Sequence, residues 1–258
     1  VWHQMGPQAG MLYYTGFLIE KTLALDNIFV ISLIFSYLAI PRLYQHRVLF
    51  WGILGVIVLR GIMIGAGAAL VENFSWVLYL FAAFLIFTGV KMLAIKEGPP
   101  DMAENALLRF LNRHLRVTPH LHDQKFFTRS ESDNRLWVTP LFIALLLVEA
   151  ADIVFAVDSV PAIFAITTDP YIIYTSNIFA VLGLRALYFA LAAIIHRFEY
   201  LKPAMALILV FIGSKIFVAD LFGLTKFPPA VSLGVTVALL AGGIIASLVA
   251  DRKKQLKA

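Results

Sequence analysis

Val148 to Phe164 reads VEAADIVFAVDSVPAIF. Glu149, Asp152 and Asp158 interrupt a run that is otherwise apolar enough for the interior of a bilayer. The surrounding chain is of the same kind. Of 258 residues, 60% are hydrophobic and only 14% charged, with a mean hydropathy of +0.84. A soluble chain of this length carries about 25% charge. The composition excludes a large soluble core and implies an all-α polytopic membrane protein. There is no cysteine, so disulfides, thiolate metal sites and iron–sulfur chemistry have no basis in these residues. The net charge of +5 reflects basic loops beside a membrane rather than a nucleic-acid surface.

A membrane helix needs roughly 20 mostly apolar residues. Seven segments qualify: 11–38, 48–70, 76–95, 138–166, 176–195, 204–222 and 229–250. Between them, 96–137 is a long basic connection with Lys96, Arg109, Arg113, Arg116, Lys125, Arg129 and Arg135. Within it LLRFLNRHLR (107–116) has the pattern of a short amphipathic helix. The loops and tail on one side hold fifteen Lys and Arg; those on the other hold one, Lys226. That asymmetry predicts a cytoplasmic C-terminus and places Val1 on the outer side. Val1 to Gly10 has no signal-peptide pattern.

The five basic residues inside the spans expose a repeat. EKTLALDNIF (20–29) parallels DIVFAVDSVP (152–161), LGVIVLR (54–60) parallels FAVLGLR (179–185), and FTGVKML (87–93) parallels FIGSKIF (211–217). The matches keep one order, with offsets of 132 (20 to 152), 125 (60 to 185) and 124 (91 to 215). Each unit has three spans, an odd number, so the second copy crosses the membrane in the opposite sense. The chain then divides into repeat one (11–95), the cytoplasmic loop (96–137), an inverted repeat two (138–222) and an extra C-terminal helix (229–250). Inverted repeats of this kind carry their sites near the midplane, between the halves.

An acid at mid-membrane costs at least about 2.5–3.5 kcal/mol on insertion scales. Glu20, Asp26, Glu149, Asp152 and Asp158 therefore read as functional, with structural ion pairs to the five basic groups as the plain alternative. Glu149 and Asp152 are three apart and share a helix face. Residues six apart, Glu20 and Asp26 or Asp152 and Asp158, point about 120° away from each other on an unbroken helix. Pro161 removes the helical hydrogen bond to Val157, which predicts a break or kink near Asp158–Pro161. The carboxylates, the Asn27 amide, the Ser159 hydroxyl and any freed carbonyls are hard oxygen donors. They suit Mn²⁺, Mg²⁺ or Ca²⁺ better than Zn²⁺ or Cu⁺. A carboxylate that alternately holds metal and proton provides a basis for metal/proton exchange. Asp26 and Asp158 lead as metal ligands, then Glu20, Asp152 and Glu149, then Asn27 and Ser159.

Other features have blander readings. Arg60 and Arg185 hold acids or carbonyls between helices, and Lys91 snorkels. Gly61, Gly65 and Ala69 form a small-residue stripe for close packing. Asn177, placed at a span start, is a cap or a substrate contact.

FLIEKTLALDNIFV (17–30), FAVDSVPAIFAITTDPYIIYTSNIFAVLGLRALYF (155–189) and FTGVKML (87–93) resemble the TerC family, most closely its Alx-like branch. The resemblance runs from about residue 11 to 250. It implies a fold related to the LysE exporter superfamily and a bacterial inner-membrane protein that exports Mn²⁺. It also implies that the acidic motifs are carried by Glu20, Asp26, Asn27, Glu149, Asp152 and Asp158. Family members have further hydrophobic helices ahead of the first acidic motif. No prosthetic group is expected; Mn²⁺ is cargo, and protons and the bilayer are the other partners. Two other readings stand beside it: export of a small organic solute such as a basic amino acid, and a non-transporting membrane scaffold. No Ser/His pair, HExxH or cofactor loop supports an enzyme.

Overall fold

The computed structural model describes residues 1–94, 102, 105–129, 135–191, 200–222 and 227–255, with the side chains of residues 25, 26, 191 and 253–255 outside that set. Asp26, a leading ligand candidate, has its backbone in a helix and its side chain outside the described residues. Lys96, His196 and Lys226 also lie outside them.

The chain is helical almost throughout: α1 (Trp2–Met5), α2 (Pro7–Tyr37), α3 (Arg42–Asn73), α4 (Val77–Ala94), α5 (Ala106–His114), α6 (Pro140–Phe164), α7 (Pro170–Leu182), α8 (Leu184–Leu191), α9 (Leu201–Leu221) and α10 (Pro229–Gln255). Proline opens α2, α6, α7 and α10, where its missing N–H would have no intrahelical partner in any case. Asp169 caps α7 by accepting from the backbone N–H of Tyr171 at 2.9 Å and Ile172 at 3.2 Å. Asn177, read from sequence as a possible cap, is instead buried inside that helix, because the helix starts seven residues earlier at Pro170. Hydroxyls of Thr15, Thr22 and Ser36 donate to the carbonyl one turn back, which satisfies them without water.

Six helices are long and apolar enough to cross a membrane among the described residues, α7 and α8 counting together as one. α2 has 31 residues but carries Glu20, Lys21 and Asp26. Apolar side chains such as Ile62, Phe87 and Val154 stand outward on α3, α4 and α6, as a lipid-facing surface requires.

Three sequence expectations are corrected. α6 runs through Pro161 to Phe164, so the break is not there. Pro161 falls in the last turn, where only the bond back to Val157 is lost. The interruption lies at Gly183, between α7 and α8. The small-residue stripe packs only at Gly61, where a Cβ would lie 3.3 Å from Tyr174 Cε2; a Cβ on Gly65 would meet nothing within 4 Å, and Ala69 is exposed. The tightest glycines of α3 are Gly55, which lies against Glu149, and Gly67, where a Cβ would lie 2.6 Å from Phe164 Cε2. Finally, the basic connection contains an antiparallel hairpin, β1 (Phe127–Arg129) with β2 (Leu136–Val138), as well as the expected amphipathic helix α5. Leu108 and Leu111 of α5 are buried in the core cluster that includes α6, and Arg109 and Arg113 lie on its outer side.

α2, α3, α6 and α7 pack around one another, α4 packs against α9, and α10 lies against α9 and α2. The α4–α9 contact is reciprocal. A Cβ on Gly89 would lie 2.6 Å from the Ala206 carbonyl oxygen, and one on Gly213 would lie 2.5 Å from the Ala82 carbonyl oxygen. Position numbers rise on one helix as they fall on the other, so the two run antiparallel. Two apolar clusters fill the bundle, and the polar centre lies between them along each helix. Glu20 separates Ile19 of one cluster from Ala24 of the other, and Asp152 separates Val148 from Ala156.

Candidate functional site

The centre is built around Arg60 of α3, which is 2% exposed. Its guanidinium takes Asp152 of α6 in a two-pronged grip, Nη2 donating to Oδ1 at 3.0 Å and Nε to Oδ2 at 3.3 Å. Nη1 donates to the Glu20 carboxylate of α2, to Asn177 Oδ1 of α7 at 2.7 Å, and to Ser159 Oγ of α6 at 3.4 Å. Asn27 of α2 donates from Nδ2 to Asp152 Oδ1 at 3.3 Å, and Ser159 is a hydrogen-bonding neighbour of Glu20. Four helices thus contribute to one charged cluster. A planar guanidinium suits this role because its fixed fork matches two carboxylates at once.

The cluster is deeply buried: Glu20 is 3% exposed and Asp152 5%. Two carboxylates against one guanidinium leave a formal charge of −1. Two polar atoms have no partner among the described residues, Asn27 Oδ1 and Asn177 Nδ2. An unsatisfied buried polar atom costs on the order of 1–3 kcal/mol, so such atoms mark where a ligand or a second conformation would make contact.

The remaining candidates lie elsewhere. Glu149 is on the same face of α6 as Asp152, as the spacing of three predicts, but lies against Gly52 and Gly55 of α3. Its Oε2 has no partner among the described residues. Asp158 turns away from Asp152, as six positions require, and accepts from Thr88 Oγ1 of α4 at 3.3 Å. Lys91 is its cationic neighbour. Of the seven sequence candidates, the structure therefore gathers Glu20, Asp152, Asn27 and Ser159, and sets Glu149 and Asp158 apart. Arg185, the repeat counterpart of Arg60, is exposed and holds no acid among the described residues. Lys215 is buried and donates to Ser232 Oγ of α10 at 3.3 Å.

The donors in the centre are carboxylate, amide and hydroxyl oxygens, a set that suits a hard cation. No group of three or more His, Asp or Glu able to hold a metal is present among the described residues. A cation entering here would take carboxylate oxygens that Arg60 now occupies. From sequence, Asn177 reads as a cap or a substrate contact, and Arg60 as a holder of acids or carbonyls or the partner of a substrate carboxylate. The signal available for Asn177 was an amide seven residues inside a helix opened by the Asp169–Pro170 cap.

Comparison with known proteins agrees with the membrane architecture. The model of the integral membrane protein TerC family matches residues 5–255. An uncharacterized membrane protein of Rickettsia bellii is 54% identical over 250 residues, covering 96% of this chain and 81% of the relative. One of Myxococcus xanthus is 51% identical over 252 residues, covering 98% and 77%. The Escherichia coli protein described as putative membrane-bound redox modulator Alx is 51% identical over 234 residues, covering 91% and 71%. No solved structure matches. A match over nearly the whole chain, together with half-identical relatives and a bundle of apolar helices around buried charge, makes this multi-pass integral membrane protein a member of the TerC family.

Proposed function

We propose that the chain is a secondary transporter that exports divalent metal cations, Mn²⁺ foremost, in exchange for protons. The observation that carries the reading is the meeting of Glu20 and Asp152, equivalent positions of the two sequence repeats, on one buried arginine. On this reading α2–α4 and α6–α9 are two inverted three-span units, α10 is the extra helix, and seven spans cross a bacterial inner membrane with the C-terminus in the cytoplasm. The contacts support it: α2 packs on α7 as α3 packs on α6, and the α4–α9 contact is reciprocal about equivalent glycines. The cation is held by Glu20 and Asp152 with Asn27 and Ser159 as neutral donors. Asp26, Asp158 and Glu149 serve as further ligands or proton carriers on its route. The two halves rock to expose the centre to each side in turn.

The name of the Escherichia coli relative speaks of redox modulation. These 258 residues contain no cysteine, so an effect on redox state by this chain would run through the ions it moves. Export of a basic organic solute is the second reading, and one observation favours it: the two acids already hold a guanidinium.

The test is Mn²⁺ flux in proteoliposomes with an enclosed pH dye. Wild type should move Mn²⁺ against protons, and Asp152→Asn, verified as folded by its melting curve, should not. Folded and inserted wild type that moves neither Mn²⁺ nor Mg²⁺ would sink the metal reading. Arginine flux in its place would establish the second one.

A further inference from the structure

Arg60 and Arg185 occupy equivalent repeat positions, yet the structure treats them in opposite ways: Arg60 is buried between two acids and Arg185 stands exposed on α8. We propose that Arg185 is a positioning residue, the counter-cation that replaces Arg60 on Glu20 and Asp152 in the oppositely facing state. The proposal rests on the inverted-repeat transporter reading above.

The residues around Arg60 make the exchange specific. In an inverted repeat, the second state is reached when each half takes up the arrangement now held by the other. Glu20 and Asp152 are each other's counterparts, so they are the partners of Arg60 now and of Arg185 then. Ser159, which accepts from Arg60 at 3.4 Å, has Asn27 as its counterpart. The exchange therefore requires an acceptor at Asn27 for Arg185. Asn27 Oδ1 is buried and has no donor among the described residues. Asn177, which accepts from Arg60 at 2.7 Å, has Gly52 as its counterpart by the offset of 125. Glycine offers no side-chain acceptor, but Glu149 lies against Gly52, and its Oε2 has no partner among the described residues. Both unsatisfied acceptors thus stand where the exchange needs them.

The movement would be taken up at Gly183. The span that holds Arg185 loosens by one turn residue at Gly183, two residues before it and still right-handed helical (φ −78°, ψ −5°), whereas α3 runs without such a residue past Arg60. The proposal requires α8, which packs against α2 through a face that includes buried Leu184 and Tyr188, to turn at Gly183 so that Arg185 comes to face α2. The Lys21 side chain lies against Gly183, so α2 is beside the hinge. The acids pass from Arg60 to the cation and from the cation to Arg185, so the pair is never left buried with both charges bare. A cation that takes the acids between the two arginines is released when the second arginine closes on them.

The first test is a double-mutant cycle on melting midpoints, which needs no transport assay. Arg185→Gln alone should shift the midpoint by no more than about 2 °C, because Arg185 is idle in this state. Arg60→Gln should shift it by a limited amount, because Arg185 takes over. The double variant should fall at least about 5 °C below the sum of the two shifts. Additive shifts would overturn the proposal, since a merely lipid-facing arginine contributes equally in either background.

The second test compares Mn²⁺ binding with Mn²⁺ flux, so that a double variant too unstable to melt does not leave the matter open. Arg185→Gln should bind Mn²⁺ as wild type does and move it at least about ten-fold more slowly, with Arg185→Lys restoring flux. Wild-type flux from Arg185→Gln would overturn the proposal. If wild type itself moves no Mn²⁺, the exporter reading falls and the melting cycle alone decides Arg185.

Discussion

Gly213→Ala is the sharpest single perturbation of the interface between α4 and α9. A Cβ there would lie 2.5 Å from the Ala82 carbonyl oxygen, 2.8 Å from Ile86 Cγ1 and 3.2 Å from the Ile86 backbone nitrogen. Two of these three atoms are backbone, so no rotamer change relieves the overlap and the helices must separate. Overpacking of this kind costs roughly 1–3 kcal/mol, and the upper half applies where the obstruction is rigid. Alanine recovers up to about 1 kcal/mol of helix propensity, which leaves a net loss of about 1–2 kcal/mol. For a chain of this size that is a fall of about 2–8 °C in the melting midpoint. Gly65→Ala is the matched control, because a Cβ there meets nothing within 4 Å. It should hold or raise the midpoint. The assay is thermal melting of purified protein in one detergent, with both variants measured beside wild type. Gly89→Ala should behave as Gly213→Ala does, and the double variant should lose less than the sum, since helices already parted by one methyl accommodate the second. Equal midpoints for Gly213→Ala and Gly65→Ala would refute the close reciprocal packing of α4 and α9.

Tyr188→Phe removes the donor to Gln45 Oε1 at 3.0 Å and leaves that buried oxygen unpaired. The cost is about 1–3 kcal/mol, read as a lower melting midpoint, and an unchanged midpoint would show that the bond contributes nothing. Asp169→Ala deletes the N-cap of α7, which should cost about 0.5–2 kcal/mol by the same assay. On the exporter reading, Asp158→Asn should retain more Mn²⁺ flux than Asp152→Asn, because Asp158 bonds Thr88 outside the Arg60 cluster. The reverse order in the flux assay would move the cation route to the α4–α6 interface. Asn177→Leu takes from Arg60 its 2.7 Å acceptor and should lower both flux and melting midpoint, the latter by roughly 3–10 °C.

Much of the architecture is legible in the sequence because lipid simplifies the rules. Every span must be apolar and internally hydrogen-bonded, so hydropathy locates α3, α4, α6, α9 and α10 directly. The starts of helices are less legible. The span containing Asn177 looks as if it begins there because Pro170 and Thr175 lower its local hydropathy, yet the Asp169–Pro170 pair starts the helix. The break was misplaced for a related reason. Proline at 161 is a strong local signal, but in a final turn it disrupts little, while Gly183 gives no sequence signal that separates it from an ordinary packing glycine. The hairpin of β1 and β2 lies in a segment whose polar composition concealed it.

The site divides along the same line. Periodicity states which acids share a face of one helix, and it separated Asp158 from Asp152 correctly. It is silent about what faces them from other helices, and the decisive partner, Arg60, comes from α3. The repeat carries further than periodicity because it relates helices to each other. It makes Glu20 and Asp152 equivalent before any coordinates are known, and on the inverted-repeat reading equivalent residues near the relating axis converge. On that reading a single side chain at the axis cannot obey the symmetry, so when Arg60 enters, Arg185 stays out. The asymmetry follows from placing one guanidinium where two equivalent positions compete for it. On the proposed reading, a pair of acids with one resident cation and an idle second has two states of like composition, which is the condition for a molecule that alternates between faces of a membrane.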